Sequence, residues 1–261
     1  MDLELTGKRA LVLGASRGLG QAVARGLARE GASVISAARD EAAIAAWAGA
    51  EAPEVAVRIH PATLDLAQRA SVDALADKLL ADQGVDILVN NSGGPPPGTA
   101  LETGIDLWTR QFETMAAHIF HLTGRLLPPM VARGWGRIIT VASSGIEQPI
   151  PNLALSNGIR MAILGWSKTL AAEVAPSGIT VNMVLPGRIK TTRLDQLDQA
   201  NADRQGKTRE EIAQASLAAI PAGRYGTPEE FANAIVFLAS RQASYITGVK
   251  LRVDGGMVRG V

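Results

Sequence analysis

The chain of 261 residues contains no cysteine, and this absence removes several kinds of chemistry at once. Without thiols there are no disulfides, no thiolate nucleophile and no cysteine-ligated metal, and the composition suits a reducing compartment. The sequence also lacks any run of about 18 apolar residues, the length that a membrane-spanning helix requires. Acidic residues precede the first apolar run in MDLELTGKRALVLG, unlike a signal peptide. We therefore expect a cytoplasmic protein with no membrane partner and no metal site.

An excess of charge of either sign is missing as well. The 26 lysines and arginines balance 25 aspartates and glutamates, and they are spread through the chain without long runs. Such a chain has no global field that would hold nucleic acid or an anionic membrane. With 47% hydrophobic residues, it is long enough to build one full core. We expect a single domain over residues 1–261 that binds small molecules and no nucleic acid.

Short β-branched or aliphatic runs alternate with longer segments rich in Ala, Leu, Glu and Arg. This alternation is typical of a parallel sheet buried on both faces by helices. The predicted strands are Arg9–Leu13, Ser33–Ala37, Val55–Ile59, Ile87–Val89, Arg137–Val141, Ile179–Met183 and Val249–Val253. The predicted helices start near Leu19, Glu41, Ala70, Asp106, Asn152 and Pro228. The fold class is therefore α/β, a doubly wound parallel seven-stranded sheet of the Rossmann type. In such folds, ligands bind beyond the carboxyl ends of the strands.

A glycine-rich stretch joins the first predicted strand to the first predicted helix. It consists of Gly14, Ala15, Ser16, Arg17, Gly18, Leu19 and Gly20. Glycines permit a tight turn and a close approach of backbone to a pyrophosphate, which the free N–H groups of the following helix attract. A simple strand-to-helix turn is the alternative. The position after the first strand favours dinucleotide binding.

The end of the second predicted strand bears on the choice of cofactor. A carboxylate there would bind the adenosine ribose and repel a 2′-phosphate, but the chain places Ala38 there, followed by Arg39. Arg39 and Arg17 would both favour the 2′-phosphate, which predicts NADP(H). Asp40 could instead supply the carboxylate, although its position before Glu41 favours a helix N-cap.

Further motifs follow in one order along almost the whole chain. They are Leu64-Asp65-Leu66, Asn90-Asn91-Ser92-Gly93, Gly136-Arg137-Ile138-Ile139 leading to Ser143, and Pro186-Gly187-Arg188-Ile189-Lys190-Thr191. Together with the spacing of the three glycines, they resemble the classical short-chain dehydrogenase/reductase family, although Leu13 stands where threonine is usual. The resemblance implies hydride transfer between nicotinamide and a carbonyl or alcohol carbon, and a homotetramer.

The resemblance also assigns residues to the cofactor. Asp65 would contact adenine, whereas Ile189 and Thr191 would hold the nicotinamide amide; His60 is expected near adenine in a structural role. The predicted cofactor-binding residues are Gly14, Ser16, Arg17, Gly18, Leu19, Gly20, Arg39, Asp65, Leu66, Asn90, Ser92, Gly93, Arg160, Pro186, Gly187, Ile189 and Thr191.

The catalytic group of this family is only partly present. Its members use a Ser to orient the carbonyl oxygen, a Tyr as acid or base, a Lys and an Asn. Counting back from Gly165-Trp166-Ser167-Lys168 puts Ser156 in the Tyr position and Arg160 in the Lys position. Ser143 is retained and Met115 replaces the Asn. Neither a serine hydroxyl nor a guanidinium exchanges protons readily at neutral pH, whereas a phenol has a pKa of about 10. Ser143, Ser156 and Arg160 are therefore the predicted catalytic residues, and Arg160 would also hold the nicotinamide ribose.

Five other side chains are candidates for the missing proton donor. Tyr225 and Tyr245 are the only tyrosines, and packing of their rings on the core or on a subunit interface is favoured. His118 shares a helix face with the lost Asn position, although a histidine packed between helices is favoured, and His121 falls off that face. Glu147 would border the substrate cleft, where a solvated carboxylate is favoured.

Residues 189–224 are expected to form a small lid over the substrate. Arg188 and Arg193 could hold a carboxylate or phosphate through their guanidinium forks, and a charged lid that is merely solvated is the alternative. Ile212–Ile220 has helical spacing and should cover the cleft with its apolar face. The stiff loop Gly93–Gly98 either approaches the nicotinamide or simply connects a strand to a helix.

These features lead to more than one hypothesis. The first is an NADP(H)-dependent oxidoreductase acting on a carbonyl or secondary alcohol, with a 3-oxoacyl thioester or another small ketone as candidate substrate. The imperfect catalytic group is similar to that of a divergent 3-oxoacyl-acyl carrier protein reductase-like subgroup. The alternative is an NADP(H)-binding regulatory or structural protein that has lost redox turnover. A third is non-redox chemistry in which the cofactor is structural.

Overall fold

The predicted sheet is present in full. The computed structural model describes residues 1–260 and contains seven parallel strands in the order β3-β2-β1-β4-β5-β6-β7. The strands are β1 Arg9–Leu13, β2 Ser33–Ala38, β3 Ile59–Thr63, β4 Ile87–Asn90, β5 Gly136–Val141, β6 Ile179–Pro186 and β7 Lys250–Val253. The predicted fold class, a doubly wound Rossmann-type sheet, is confirmed.

Helices connect the strands and cover both faces of the sheet. They are α1 Gly18–Arg29, α2 Glu41–Gly49, α3 Pro53–Ala56, α4 Arg69–Ala81, α5 Ile105–Phe112, α6 His118–Arg133, α7 Ala154–Val174, α8 Thr192–Gln205, α9 Arg209–Ala218 and α10 Pro228–Ala239. A π-helical turn, Glu113–Ala117, joins α5 to α6. Among residues 1–260, no helix is both long and apolar enough to cross a membrane.

The prediction for the third strand was wrong. Pro53 starts the short helix α3, in which Val55 is buried, and the strand begins only at Ile59, whose backbone pairs with Val34. β3 lies at the edge of the sheet, so His60 and Thr63 are exposed and Pro61 is tolerated. An apolar run is a poor guide to such a strand, because only Ile59 and Ala62 of its five residues are buried.

This shift changes the position of His60. The residue lies near the start of β3, opposite Ile35, and its Nε2 is 3.0 Å from Ser33 Oγ. The amino ends of the strands lie across the sheet from the ligand-binding edge, so the expectation that His60 lies near adenine was wrong. The corrected strand instead ends directly before Leu64 and Asp65.

Two large apolar clusters hold the helices against the sheet. On one face, α1 and α10 contribute side chains such as Leu27 and Phe231, both fully buried. On the other face, α4, α6 and α7 contribute Leu75, Leu126 and Leu170. The sheet is therefore a rigid support whose carboxyl edge stays open, between β1 and β4, where the strand order reverses.

Candidate active site

A cleft of about 1360 Å³ runs along the carboxyl edge of the sheet. Its walls come from the residues that follow the strands and from the first turns of α8. All the predicted site residues line it except two, Gly20 and Asn90. The topology has thus brought together residues that are far apart in the sequence.

Gly20 does not line the cleft, but the glycine loop needs it in order to fold. A Cβ atom at this position would lie 2.2 Å from the Gly14 carbonyl oxygen, far below any real contact distance. Gly14 itself has a left-handed backbone with φ +63°. The loop can therefore fold tightly against the start of α1 only because both positions lack a side chain, and it presents backbone N–H groups to the cleft.

Asn90 does not reach the cleft. It is fully buried at the end of β4, where its Nδ2 donates a hydrogen bond to Thr123 Oγ1 at 3.2 Å. The next residue takes the predicted place, since Asn91 lines the cleft and donates from Nδ2 to the Leu13 carbonyl oxygen at 3.1 Å. Successive side chains of a strand point to opposite faces, and this alternation was the signal that should have favoured Asn91.

Two arginines and two aspartates lie at the adenosine end of the cleft. Arg17 and Arg39 both line it, and Ala38 stands at the end of β2. Asp40 caps α2, because its Oδ1 accepts a hydrogen bond from the Ala43 N–H at 2.9 Å, which confirms the N-cap prediction. Asp65 also lines this end, and its Oδ1 accepts a hydrogen bond from the Ala67 N–H at 2.9 Å.

Ser143 stands at the opposite end, two residues after the end of β5. Its Oγ accepts a hydrogen bond from the Gly145 N–H at 3.0 Å. This bond fixes the oxygen and leaves the hydroxyl proton free to be donated into the cleft.

Ser156 and Arg160 face the same end from the first turns of α7. Both are buried and both line the cleft. Arg160 Nη1 donates a hydrogen bond to the Val141 carbonyl oxygen at 2.7 Å. Burial, together with the positive charge of Arg193, lowers the pKa of Arg160 to about 10, so the guanidinium stays charged at neutral pH. Met115, in the π-helical turn, is buried in an apolar cluster and has no polar atom for a proton relay.

The alternative proton donors lie elsewhere. Glu147 forms an ion pair with Lys250 at 2.7 Å and does not line the cleft. His118 Nδ1 is 2.7 Å from the Leu66 carbonyl oxygen, so the histidine is packed as favoured. His121 Nε2 contacts Asp73 Oδ1 at 2.6 Å, which fits its predicted position off the relevant helix face.

The tyrosines also lie outside the lining. Tyr225 is half-buried under the lid, with its hydroxyl 3.4 Å from the Ala213 carbonyl oxygen, and burial raises its pKa. Tyr245 is fully exposed, so its ring does not pack on the core of its own chain.

The lid contains two helices, and the prediction of which one covers the cleft was wrong. Side chains of α8, including Leu194, Leu197 and Ala200, line the cleft, whereas no residue of α9 does. Only Ile212 of α9 is buried. Helix α8 is strongly polar, and this composition hid the short apolar stripe by which it faces the cleft.

The two arginines predicted at the lid have different environments. Arg188 Nη1 forms an ion pair with the buried carboxylate of Asp198, which neutralises it. Arg193 Nη2 donates a hydrogen bond to the Pro95 carbonyl oxygen at 2.7 Å, across the cleft from α8 to the loop after β4. The stiff loop Gly93–Gly98 thus supports a charged side chain of the lid.

Sequence reasoning missed three polar residues of this end. Gln111 and Thr114 line the cleft from α5 and the π-helical turn. Asn157 fixes the loop above Ser156, because its Nδ2 donates to the Ile150 carbonyl oxygen at 2.9 Å. No motif marks these residues, and the only available signal was that they lie close to Met115 and Ser156 in the sequence.

Comparisons with known proteins agree with this architecture. A family model described as Enoyl-(Acyl carrier protein) reductase matches residues 14–258. The 3-oxoacyl-[acyl-carrier-protein] reductase FabG of Escherichia coli (strain K12) is 38% identical over 261 residues, covering 98% of this chain and 99% of that protein. Nodulation protein G of Rhizobium sp. (strain N33) is 39% identical over 258 residues, covering 97% and 98% respectively.

A solved structure is similar over the full length. The L-sorbose reductase of Gluconobacter frateurii, complexed with NADPH and L-sorbose, is 34% identical, with a TM-score of 0.92 and 100% of both chains covered. The cofactor in that structure is the one that Arg17 and Arg39 predict here. Sheet order, glycine loop, cleft and relatives together place the chain in the short-chain dehydrogenase/reductase family.

Proposed function

We propose that the protein is an NADP(H)-dependent oxidoreductase that transfers hydride between nicotinamide and a carbonyl compound or secondary alcohol. The observation that carries this proposal is the continuity of one cleft, from Arg39 at the adenosine end to Ser143 at the other. The glycine loop, which Gly14 and Gly20 allow to fold tightly at the start of α1, fits a pyrophosphate, and Arg17 and Arg39 fit a 2′-phosphate. L-Sorbose in the related reductase and 3-oxoacyl thioesters give the two candidate classes of carbonyl substrate.

The residues around Ser143 supply a restricted chemistry. When bound, NADP(H) would provide or accept the hydride. Ser143 would donate its hydroxyl proton as a hydrogen bond to the carbonyl oxygen, since its own oxygen already accepts from Gly145. Arg160, which is charged at neutral pH, would place a positive charge beside this oxygen. We propose that water entering the cleft supplies the proton, because the lining at this end has no phenol or imidazole.

The first test measures turnover. NADPH fluorescence titration should show binding, and the oxidation of NADPH should be followed across ketones and 3-oxoacyl thioesters. Replacing Ser143 with Ala should lower kcat by about 10²–10³, the usual loss when one donor to a developing oxyanion is removed. NADPH affinity should remain unchanged in this variant. An unaltered rate would remove Ser143 from the catalytic role.

The second test concerns the cofactor. Arg39→Asp should weaken NADPH binding by about 10- to 100-fold, because a charge-assisted bond to phosphate is lost and a repulsive carboxylate is gained. NADH, which has no 2′-phosphate, should bind at least as well as before. Equal losses for both cofactors would place the 2′-phosphate elsewhere.

A second candidate function is supported by the absence of the usual proton donor. Ser156 and Met115 occupy the positions where family members have the Tyr and the Asn, and the lining at this end, within residues 1–260, offers no phenol, imidazole or carboxylate in their place. The protein would then be an NADP(H)-binding regulatory or structural protein. Tight NADPH binding together with no oxidation of NADPH by any compound of the panel would favour this function over the first.

A further inference from the structure

We propose that the Ser143 end of the cleft binds a carboxylate of the substrate between Arg160 and Arg193, so that the substrates are oxo acids or hydroxy acids. This inference rests on the proposed oxidoreductase function. It is carried by two guanidinium groups that line one end of the cleft without a carboxylate partner among residues 1–260. The acidic residues of the lining, Asp40 and Asp65, both lie at the adenosine end.

Arg160 lacks the partners that a structural buried arginine has in this chain. Arg137 is also buried, and it donates to the carbonyl oxygens of Ser240, Gly136 and Gly178 while stacking on the ring of Trp135. Arg160 is only 7% exposed, yet its side chain has a single partner, the Val141 carbonyl oxygen. A guanidinium has five N–H donors, and Arg160, which lines the cleft, makes only this one hydrogen bond to residues 1–260 of the protein.

Arg193 is fixed in position opposite. Its Nη2 is held by the Pro95 carbonyl oxygen at 2.7 Å, and Gly94 lies directly beneath it. A Cβ atom at position 94 would come within 2.9 Å of the same nitrogen. The glycine therefore makes room for the guanidinium, and the prolines that follow it stiffen its support.

The charges of the two arginines are not neutralised by the protein. Burial lowers the pKa of both, and the positive charge of Arg193 contributes to the lowering at Arg160. The third arginine of this end, Arg188, is already paired with Asp198. Two like charges that face one space are stabilised by an anion between them, and a guanidinium fork matches the two oxygens of a carboxylate.

A neutral substrate would leave both charges uncompensated in a partly desolvated space. L-Sorbose, the ligand of the related reductase, is such a neutral molecule. We therefore expect this chain to prefer a charged carbonyl compound. The pyrophosphate of the cofactor is the other anion that could approach Arg193, so the experiment must separate the two sources.

The experiment compares the binding affinity of acids with that of their methyl esters. The probes are 3-hydroxybutyrate, lactate and their methyl esters, titrated calorimetrically into the protein saturated with NADPH. Because both the cofactor and the hydroxy compound are then in the reduced form, no hydride transfer can occur during the titration. The wild-type protein should bind at least one acid about tenfold more tightly than its ester, which corresponds to one charge-assisted contact. Arg193→Gln should abolish this preference and leave the NADPH affinity unchanged within about twofold.

Two further variants make the result specific. Lys190→Gln removes the same charge from an exposed position three residues away that does not line the cleft, and it should keep the preference. Gly94→Ala retains Arg193 but displaces its guanidinium, so it should lose the preference. Because the displaced atoms are the end of a flexible side chain, this variant should fold normally, and its unfolding transition checks this point.

Three results would overturn the inference. Equal affinity for acids and esters in the wild-type protein would show that no carboxylate site exists. A loss of NADPH affinity in Arg193→Gln with an unchanged acid preference would assign Arg193 to the cofactor pyrophosphate. Both results leave the proposed oxidoreductase function intact, whereas failure of the wild-type protein to bind NADPH would refute that function and this inference with it.

Discussion

At the scale of single residues, the site keeps the positive charge of the usual catalytic pair at position 160 but has lost the proton-transferring group at position 156. Arg160 retains the positive charge that the family's Lys supplies, but Ser156 lacks the phenol whose proton that charge would mobilise. We predict that the double substitution Ser156→Tyr with Arg160→Lys raises the rate of NADPH oxidation about 10²-fold, the lower range for a positioned general acid. The rate should be measured with the best ketone or oxo acid of the panel.

The matched control is Ser156→Phe with Arg160→Lys, which fills the same space without a hydroxyl. If the phenol is the cause, this control should show no gain. Equal gains in both variants would mean that packing limits the rate, and no gain in either would point to the missing relay at Met115.

At the scale of elements, the junction of β1 and α1 depends on the missing side chain of Gly20, as well as on that of Gly14. Gly20→Ala would place a Cβ atom 2.2 Å from the Gly14 carbonyl oxygen and 2.9 Å from Asn91 Nδ2. Because the first contact is with backbone, the loop must move. We predict a loss of about 1–3 kcal/mol in the free energy of unfolding, and NADPH affinity at least about tenfold lower. Urea unfolding and NADPH titration measure the two effects.

Gly49→Ala is the control for this substitution. Gly49 is the last residue of α2, its backbone is not left-handed, and a Cβ atom there would meet nothing within 4 Å. The change should stabilise the protein by about 0.5 kcal/mol through the unfolded chain and leave NADPH binding unaltered. A comparable loss of stability at both positions would contradict the steric explanation of the glycine loop.

The elements also show where the sequence was sufficient. Six of the seven strands were placed to within three residues because buried strands of a parallel sheet are continuous apolar runs. β3 is the exception because it is an edge strand in which only Ile59 and Ala62 are buried. The helix predicted to start near Asn152 begins at Ala154, since the φ of +61° at Asn152 keeps that residue outside α7. Local composition therefore predicts a strand well where the strand is fully buried in the sheet, and poorly at the edge of the sheet.

The candidate site was harder to predict than the fold, for a physical reason. Ser143, Ser156 and Arg160 lie at fixed distances along the chain from a nearby sequence motif, so counting residues was enough to find them. The bond from Arg193 to the Pro95 carbonyl oxygen and the pairing of Arg188 with Asp198 depend on how α8 docks on the sheet. The spacing of residues along the chain does not determine how α8 docks. The sequence therefore could not show that Arg188 is paired with a carboxylate and that Arg193 has no such partner among residues 1–260.

At the scale of the whole molecule, two apolar surfaces have no partner within the chain. The first surface, on α5 and α7, exposes Ile105, Phe112 and Met161. The second, at the edge strand β7, exposes Val249 and Leu251 beside Tyr245. An unpaired edge strand that exposes aliphatic side chains offers a surface on which another chain can pack. A homotetramer, a single-domain chain and a cytoplasmic location remain predictions at this scale.

Two distinct self-complementary surfaces are what a tetramer of dihedral symmetry needs, one for each type of twofold interface. We predict a tetramer for the wild-type chain, and dimers for Met161→Glu and for Leu251→Glu, since each introduces a buried charge at one interface only. The double variant should be monomeric. Val57→Glu is the control, because Val57 is 71% exposed and lies between α3 and β3, outside both surfaces. Light scattering after size-exclusion chromatography gives each mass, and a monomeric wild-type protein would show that neither surface is an interface.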